Sequence, residues 1–119
     1  MKIYVAGPYG RRAGLNEGEC EVNTQEAIRW GRFLIERGHI PLIPHLYHWV
    51  HKGWAQTPSE SAWFIICSDW IEDCDALFML PGWRQSWGAK EELKIARQQG
   101  KRVYFHDEPL AVPYTTLIV

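Results

Sequence analysis

Two patterns of apolar and polar positions alternate along this chain. Short, nearly continuous apolar runs occur at Ile3–Ala6, His39–Ile43, Asp75–Leu80 and Lys101–Phe105, the first three closed by Gly or Pro. Runs of this kind predict strands buried on both faces of a parallel sheet. Stretches with helical spacing lie between them. Ala27, Trp30, Gly31 and Leu34 recur at intervals of three and four, with Asn23 and Glu26 placed as a capping box and Gly38 as the terminating residue. Residues 9–22, rich in Gly, Arg and Glu, read as a loop before that helix. Thr57-Pro58-Ser59-Glu60 reads as a cap, a Pro at the first helical position and an acid at the third. It opens a helix carrying Trp63, Ile66, Trp70 and Ile71 and ending near Asp73. A third helix is expected from Ser86 to Gln99, with Ala89, Leu93 and Ala96 on one face and Gly100 at its end.

Two segments fall outside this rhythm. His45–Gln56, rich in Trp and His, reads as a long loop of the kind that often carries function. The tail from Leu110 ends in Leu117-Ile118-Val119 and is expected to dock as an edge strand or against a partner. The order β-α-β-α-β-α-β, with right-handed crossovers, predicts a single α/β domain. Its open, mostly parallel sheet has strand order 2-1-3-4 and helices on both faces. In such a sheet a ligand lies at the carboxyl ends of the strands where the winding reverses, here between the first and third strands. The segments at that point are Gly7-Pro8-Tyr9-Gly10 and Pro81–Gly88.

Composition sharpens this in three ways. The 119 residues are 46% hydrophobic and 23% charged with a formal net charge of −1, the balance of a soluble globular domain. That charge argues against a broad footprint for a nucleic-acid polymer or an anionic membrane, but not against one phosphorylated metabolite. Three cysteines without a paired framework, Cys20, Cys67 and Cys74, read as reduced thiols. Together with a first strand at the very start and no run of transmembrane length, they lead to an expectation of cytoplasm. Six of the seven tryptophans lie between Trp49 and Trp87, as core and subunit interface or as a wall that stacks on a flat ring.

Ser86-Trp87-Gly88-Ala89-Lys90-Glu91-Glu92 carries the most chemical information. Gly88 and Glu92 are four apart and share a helical face. A glycine there lets a ligand reach the backbone, and Ser86 with the amides after it suits a phosphate or a 5′-hydroxyl. Glu92 follows one turn deeper, roughly 5–6 Å along the same face, about the separation of a 5′ group from a sugar C1′. The same spacing also fits a serine cap followed by solvated glutamates. Glu91 points about 100° away and is expected at the surface beside Lys94. Arg11 and Arg12 after the first turn could clamp a phosphate. His45, His48 and His51 are spaced by three; a ligand-facing His45 fits better than a metal triad, so neither metal nor cofactor is expected.

Ile3-Tyr4-Val5-Ala6-Gly7-Pro8-Tyr9, Pro44-His45-Leu46, Trp70 with Cys74-Asp75-Ala76-Leu77, Leu80-Pro81-Gly82 and Ser86-x-Gly88-Ala89-x-x-Glu92 occur in that order. Together they resemble the nucleoside 2-deoxyribosyltransferase superfamily, which includes the 2′-deoxynucleoside 5′-monophosphate N-glycosidases. The resemblance runs from Lys2 to Phe105. It implies cleavage of the N-glycosidic bond of a small-molecule nucleoside or nucleotide, with Glu92 as nucleophile, Tyr4 orienting it, and Ser86 and Gly88 holding the 5′ end. Gly7, Pro8, Tyr9 and Gly10 would line the same pocket, with Arg11 and His45 as further substrate contacts. It also implies a homodimer or larger assembly. One position departs from the pattern: where the family usually has a catalytic aspartate, this chain has Cys67. Asp69, two residues on, is then the candidate acid for the leaving base. A non-catalytic nucleotide-sensing module on this scaffold, or a phosphoribohydrolase of the lysine-decarboxylase-like type, are the alternative readings.

Overall fold

A computed structural model describes residues 1–116. Four strands, β1 (Lys2–Ala6), β2 (Ile40–Leu42), β3 (Ala76–Met79) and β4 (Arg102–Phe105), form one sheet in the order β2-β1-β3-β4. All three pairings are parallel, with Tyr4 beside Leu42 and Leu77, and Leu77 beside Val103. The expected architecture and strand order therefore hold, each strand ending within a residue or two of its expected limits.

The central strands β1 and β3 are buried on both faces, so their side chains divide by parity. Ile3 and Val5 join Ala76, Phe78, Ala27 and Leu34 in one core layer. Tyr4 and Ala6 join Leu77, Met79, Ile71, Ala89 and Leu93 in the other. Helix α1 (Glu17–Glu36) covers the first face, and α3 (Glu60–Asp73) and α4 (Trp87–Gln98) cover the second. This parity points the Tyr4 hydroxyl towards α3 and α4.

Two helix starts differ from expectation, and one segment expected as a loop is helical. Helix α1 begins at Glu17, not after Asn23: Asn16 caps it, accepting from the Glu19 amide at 2.8 Å while Glu19 reaches back to the Asn16 amide at 3.1 Å. Asn23 lies inside the helix and donates to the Tyr9 carbonyl at 3.0 Å. The cap of α3 is Ser59 rather than Thr57, with Ser59 Oγ accepting from the Ala62 amide at 3.2 Å. The segment expected as a loop after β2 is instead wound, as a 3-10 turn over Pro44–Tyr47 running into the short helix α2 (His48–His51). The cap of α4 is Ser86, as expected.

After β4 the chain passes through a 3-10 turn at Pro109–Ala111 to Val112, which is buried against the α1 layer. Its carbonyl accepts from the Arg37 guanidinium at 2.9 and 2.7 Å. Residues 117–119, expected as an edge strand or a partner contact, lie outside the described residues. Among the described residues no helix is long and apolar enough to cross a membrane.

Candidate active site

The carboxyl ends of β1 and β3 open into a cleft of about 210 Å³. β1 and the turn after it contribute Tyr4, Gly7, Tyr9 and Gly10; the opening of α4 contributes Ser86, Gly88 and Glu92. The wound segment after β2 and helix α3 close the other side, with His45 and His48 facing Trp63 and Cys67. The site thus stands where the reversal of winding predicts it.

Glu92 is half-buried at the inner end of the cleft, one turn below Gly88 on α4. The Tyr4 hydroxyl, fully buried in β1, donates to its Oε2. Burial pushes the Glu92 carboxyl up to about 7, against the lowering effect of the Tyr4 hydrogen bond. Burial, and then the adjacent Glu92 charge, hold the Tyr4 phenol well above its usual range, so Tyr4 stays a donor. The Cys67 thiol lies against both groups and is pushed up to about 11 by burial and by Glu92. The innermost part of the cleft therefore presents one carboxylate beside two neutral donors, an arrangement suited to stabilising or capturing a positive centre.

Ser86 Oγ accepts from the Ala89 amide at 3.2 Å, closing one orphan donor of α4. The amides of Trp87 and Gly88 sit in the first helical turn, where no intrahelical acceptor exists. A Cβ on Gly88 would meet nothing within 4 Å, so neither packing nor backbone conformation requires a glycine there. Gly7 differs: a Cβ there would stand 2.5 Å from Leu80 Cβ, and close packing between β1 and β3 accounts for it.

Other expected residues are distributed unevenly. Arg11 and Arg12 both reach the mouth of the cleft. Arg11 donates to Thr57 Oγ1 at 3.1 Å, while Arg12 pairs with Glu60 at 3.0 Å and lies over the Trp87 ring at 4.0 Å. Pro8 does not line the cleft; its carbonyl meets His45 Nε2 at 3.2 Å. His45 is buried, and desolvation lowers its imidazole to about 4, so it is neutral. Asp69 is exposed and does not line the cleft: two helical residues are about 200° apart, so turning Cys67 inward turns Asp69 out. Glu91 lies beside Lys94 at 3.9 Å, as expected. Trp63 and Trp87 line the cleft, Trp87 while exposed; Trp49, Trp54 and Trp70 are exposed and do not line it.

One residue brought to the site, His48, was not singled out as a contact from the sequence. His48 is buried with Nδ1 2.6 Å from the Tyr9 hydroxyl and Nε2 3.2 Å from Glu21 Oε1. Its signal was the three-residue spacing of His45, His48 and His51, which a wound segment places along one side. No group of three His, Cys, Asp or Glu side chains among the described residues could hold a metal ion.

Residues 1–105 match the family described as Domain of unknown function (DUF4406). No curated protein matches the chain. Among solved structures the chain is similar to 2-desoxiribosyltransferase from Leishmania mexicana, with a TM-score of 0.50 and 23% identity over 87% of this chain and 62% of that one. It spans less than two thirds of that neighbour's length, and the likeness is one of fold.

Proposed function

The chain belongs to the DUF4406 family, whose description assigns no activity, and from the geometry of its cleft we propose that it cleaves the N-glycosidic bond of a deoxynucleoside or deoxynucleoside 5′-monophosphate. The observation that carries this reading is the Tyr4–Glu92 pair one helical turn below the open glycine and free amides at the start of α4. Breaking such a bond builds positive charge at C1′. Glu92 meets that charge as a carboxylate and captures the sugar as a glycosyl-enzyme ester; Tyr4 fixes which oxygen faces C1′. Water then releases the sugar, or a second base accepts it. The solved neighbour is a 2-desoxiribosyltransferase, which supports the reading at the level of fold.

The first turn of α4 is the natural seat for the 5′ end, because its unpaired amides and partial positive charge favour an oxygen anion. Arg11 and Arg12 at the mouth extend that preference to a monophosphate. Trp63 and Trp87 offer faces for the base. Cys67, in the place where the resemblance implies an aspartate, favours a second reading: a nucleotide sensor that binds the same ligands and leaves the bond intact.

The deciding experiment is incubation with a panel of deoxynucleosides and their 5′-monophosphates, with and without an acceptor base, followed by chromatography for free base. Release that Glu92→Gln abolishes is expected. Binding without release would establish the sensor instead. For the 5′ end, kcat/KM is compared with and without the phosphate in wild type and Arg11→Ala. A charge-assisted hydrogen bond lost there costs about tenfold or more, and a free nucleoside preferred by both proteins would remove the phosphate site.

A further inference from the structure

With no aspartate beside Glu92, the cleft needs another source of the proton that a departing base takes. Between the turn after β1, helix α2 and helix α1, Tyr9 OH, His48 and Glu21 form an unbroken chain, 2.6 Å from Tyr9 OH to His48 Nδ1 and 3.2 Å from His48 Nε2 to Glu21 Oε1. We infer that this chain is the acid–base relay of the site, with Tyr9 as the group that exchanges protons with the substrate. The inference rests on the glycosidic reading of Glu92.

The direction of the chain follows from what each atom can do. Lys52 Nζ lies 2.8 Å from the same Glu21 oxygen and, with His48, holds that carboxyl below the usual range, so Glu21 is ionised and accepts only. His48 must therefore donate through Nε2. In neutral His48, Nδ1 is then a lone pair that accepts the Tyr9 proton, and the Tyr9 oxygen is turned towards the cleft as an acceptor. In the imidazolium, Nδ1–H donates to the Tyr9 oxygen, and the phenolic hydrogen is free to point into the cleft. The relay has two protonation states, one an acid and the other a base. Burial pushes the Tyr9 phenol up to about 12, so it keeps a proton unless His48 exchanges one in the same step. Around the chain stand Arg11 and His51 on the cleft side and Glu17 and Cys20 on α1.

The two states match the two halves of the reaction. In the first, a Glu92 oxygen bonds to C1′ and the C1′–N bond breaks. Its electron pair stays on the base, which takes the Tyr9 proton as Tyr9 takes the Nδ1 proton of His48. In the second, water bonds to C1′ and the ester bond to Glu92 breaks. The water proton passes to Tyr9 while the Tyr9 proton returns to His48. The sum is nucleoside plus water giving base and sugar, with the imidazolium and both carboxylates restored. His48 and Glu21 act through Tyr9 and are positioning residues.

The test is single-turnover release of base from an unmodified purine deoxynucleotide and from its 7-methylated counterpart, whose base leaves neutral without a proton. Wild type, Tyr9→Phe and His48→Gln are compared. Both variants are expected to lose about a hundredfold or more on the unmodified substrate, in kcat rather than KM, and to keep most of the rate on the methylated one. Equal loss on both substrates, or no loss on either, overturns the relay and leaves Glu92 in place. A wild type that releases base from neither overturns the glycosidic reading and the relay with it.

Discussion

A carboxyl raised to about 7 at the inner end of a cleft makes two opposite demands on one side chain. The proposed mechanism needs the ionised form, so release of the 7-methylated base, which takes no proton from the relay, should rise with pH through about 7 and level off above it. Tyr4→Phe removes the interaction that favours the carboxylate, which moves that rise to higher pH. Stability runs the other way. Between its ordinary value near 4.5 and about 7, Glu92 binds more protons folded than unfolded. The protein therefore loses stability as pH climbs through that window, by up to about 3 kcal/mol. Glu92→Gln, isosteric and uncharged, is expected to unfold at higher denaturant than wild type at pH 8 and at a similar concentration at pH 5. A pH-independent difference would mean that the carboxyl is solvated. Gly88 makes a matching test. Its Cβ would enter open cleft, and alanine is the better helix former by up to about 1 kcal/mol. Gly88→Ala should thus raise the melting temperature while lowering kcat/KM; lowering both would point to a packing role.

At the scale of elements, helix ends decide how much of the site the sequence exposes. Asn16-x-x-Glu19 and Asn23-x-x-Glu26 carry the same capping signature. Spacing alone does not rank them, because the apolar face that follows Asn23 is the stronger periodic signal. The structure uses the first, and the two extra turns carry Glu21 to His48. Asn16→Ala should cost about 1 kcal/mol of stability, read by chemical denaturation, while Asn23→Ala should act through the Tyr9 carbonyl and not through a cap. The strands were legible because buried parallel strands are apolar on both sides and end in Gly or Pro. The Ser86–Glu92 face was legible because helix spacing is local. Two features were not. The wound segment at Pro44–His51 lacks a periodic apolar face, since its histidines turn into a cleft made by other elements. Asp69 is the carboxylate nearest Cys67 along the sequence, but it lies on a different part of the helix face, and the roughly 200° between them on α3 turns it out of the cleft.

The whole molecule leaves more aromatic surface uncovered than its core can use. Trp30 packs with Phe33 and Phe78 under α1, and Trp83 packs with Phe105 beside the other layer. Trp49, Trp54 and Trp70 remain 48%, 47% and 38% exposed, and Val50 and Ile65 are more exposed still. All of these lie on α2, α3 or the segment joining them, the elements that form one wall of the cleft. Where such side chains form one contiguous patch they mark a contact surface. We propose that they meet a second copy of this chain across a two-fold axis, because an isologous contact repeats the same patch on both partners. Sedimentation at micromolar concentration should then show a dimer or larger, and Ile65→Glu should shift it to monomer without loss of helical signal. Because α3 also carries Trp63 and Cys67 into the cleft, dissociation should weaken substrate binding as well. A chain that sediments only as monomer would leave these tryptophans without a partner of their own kind.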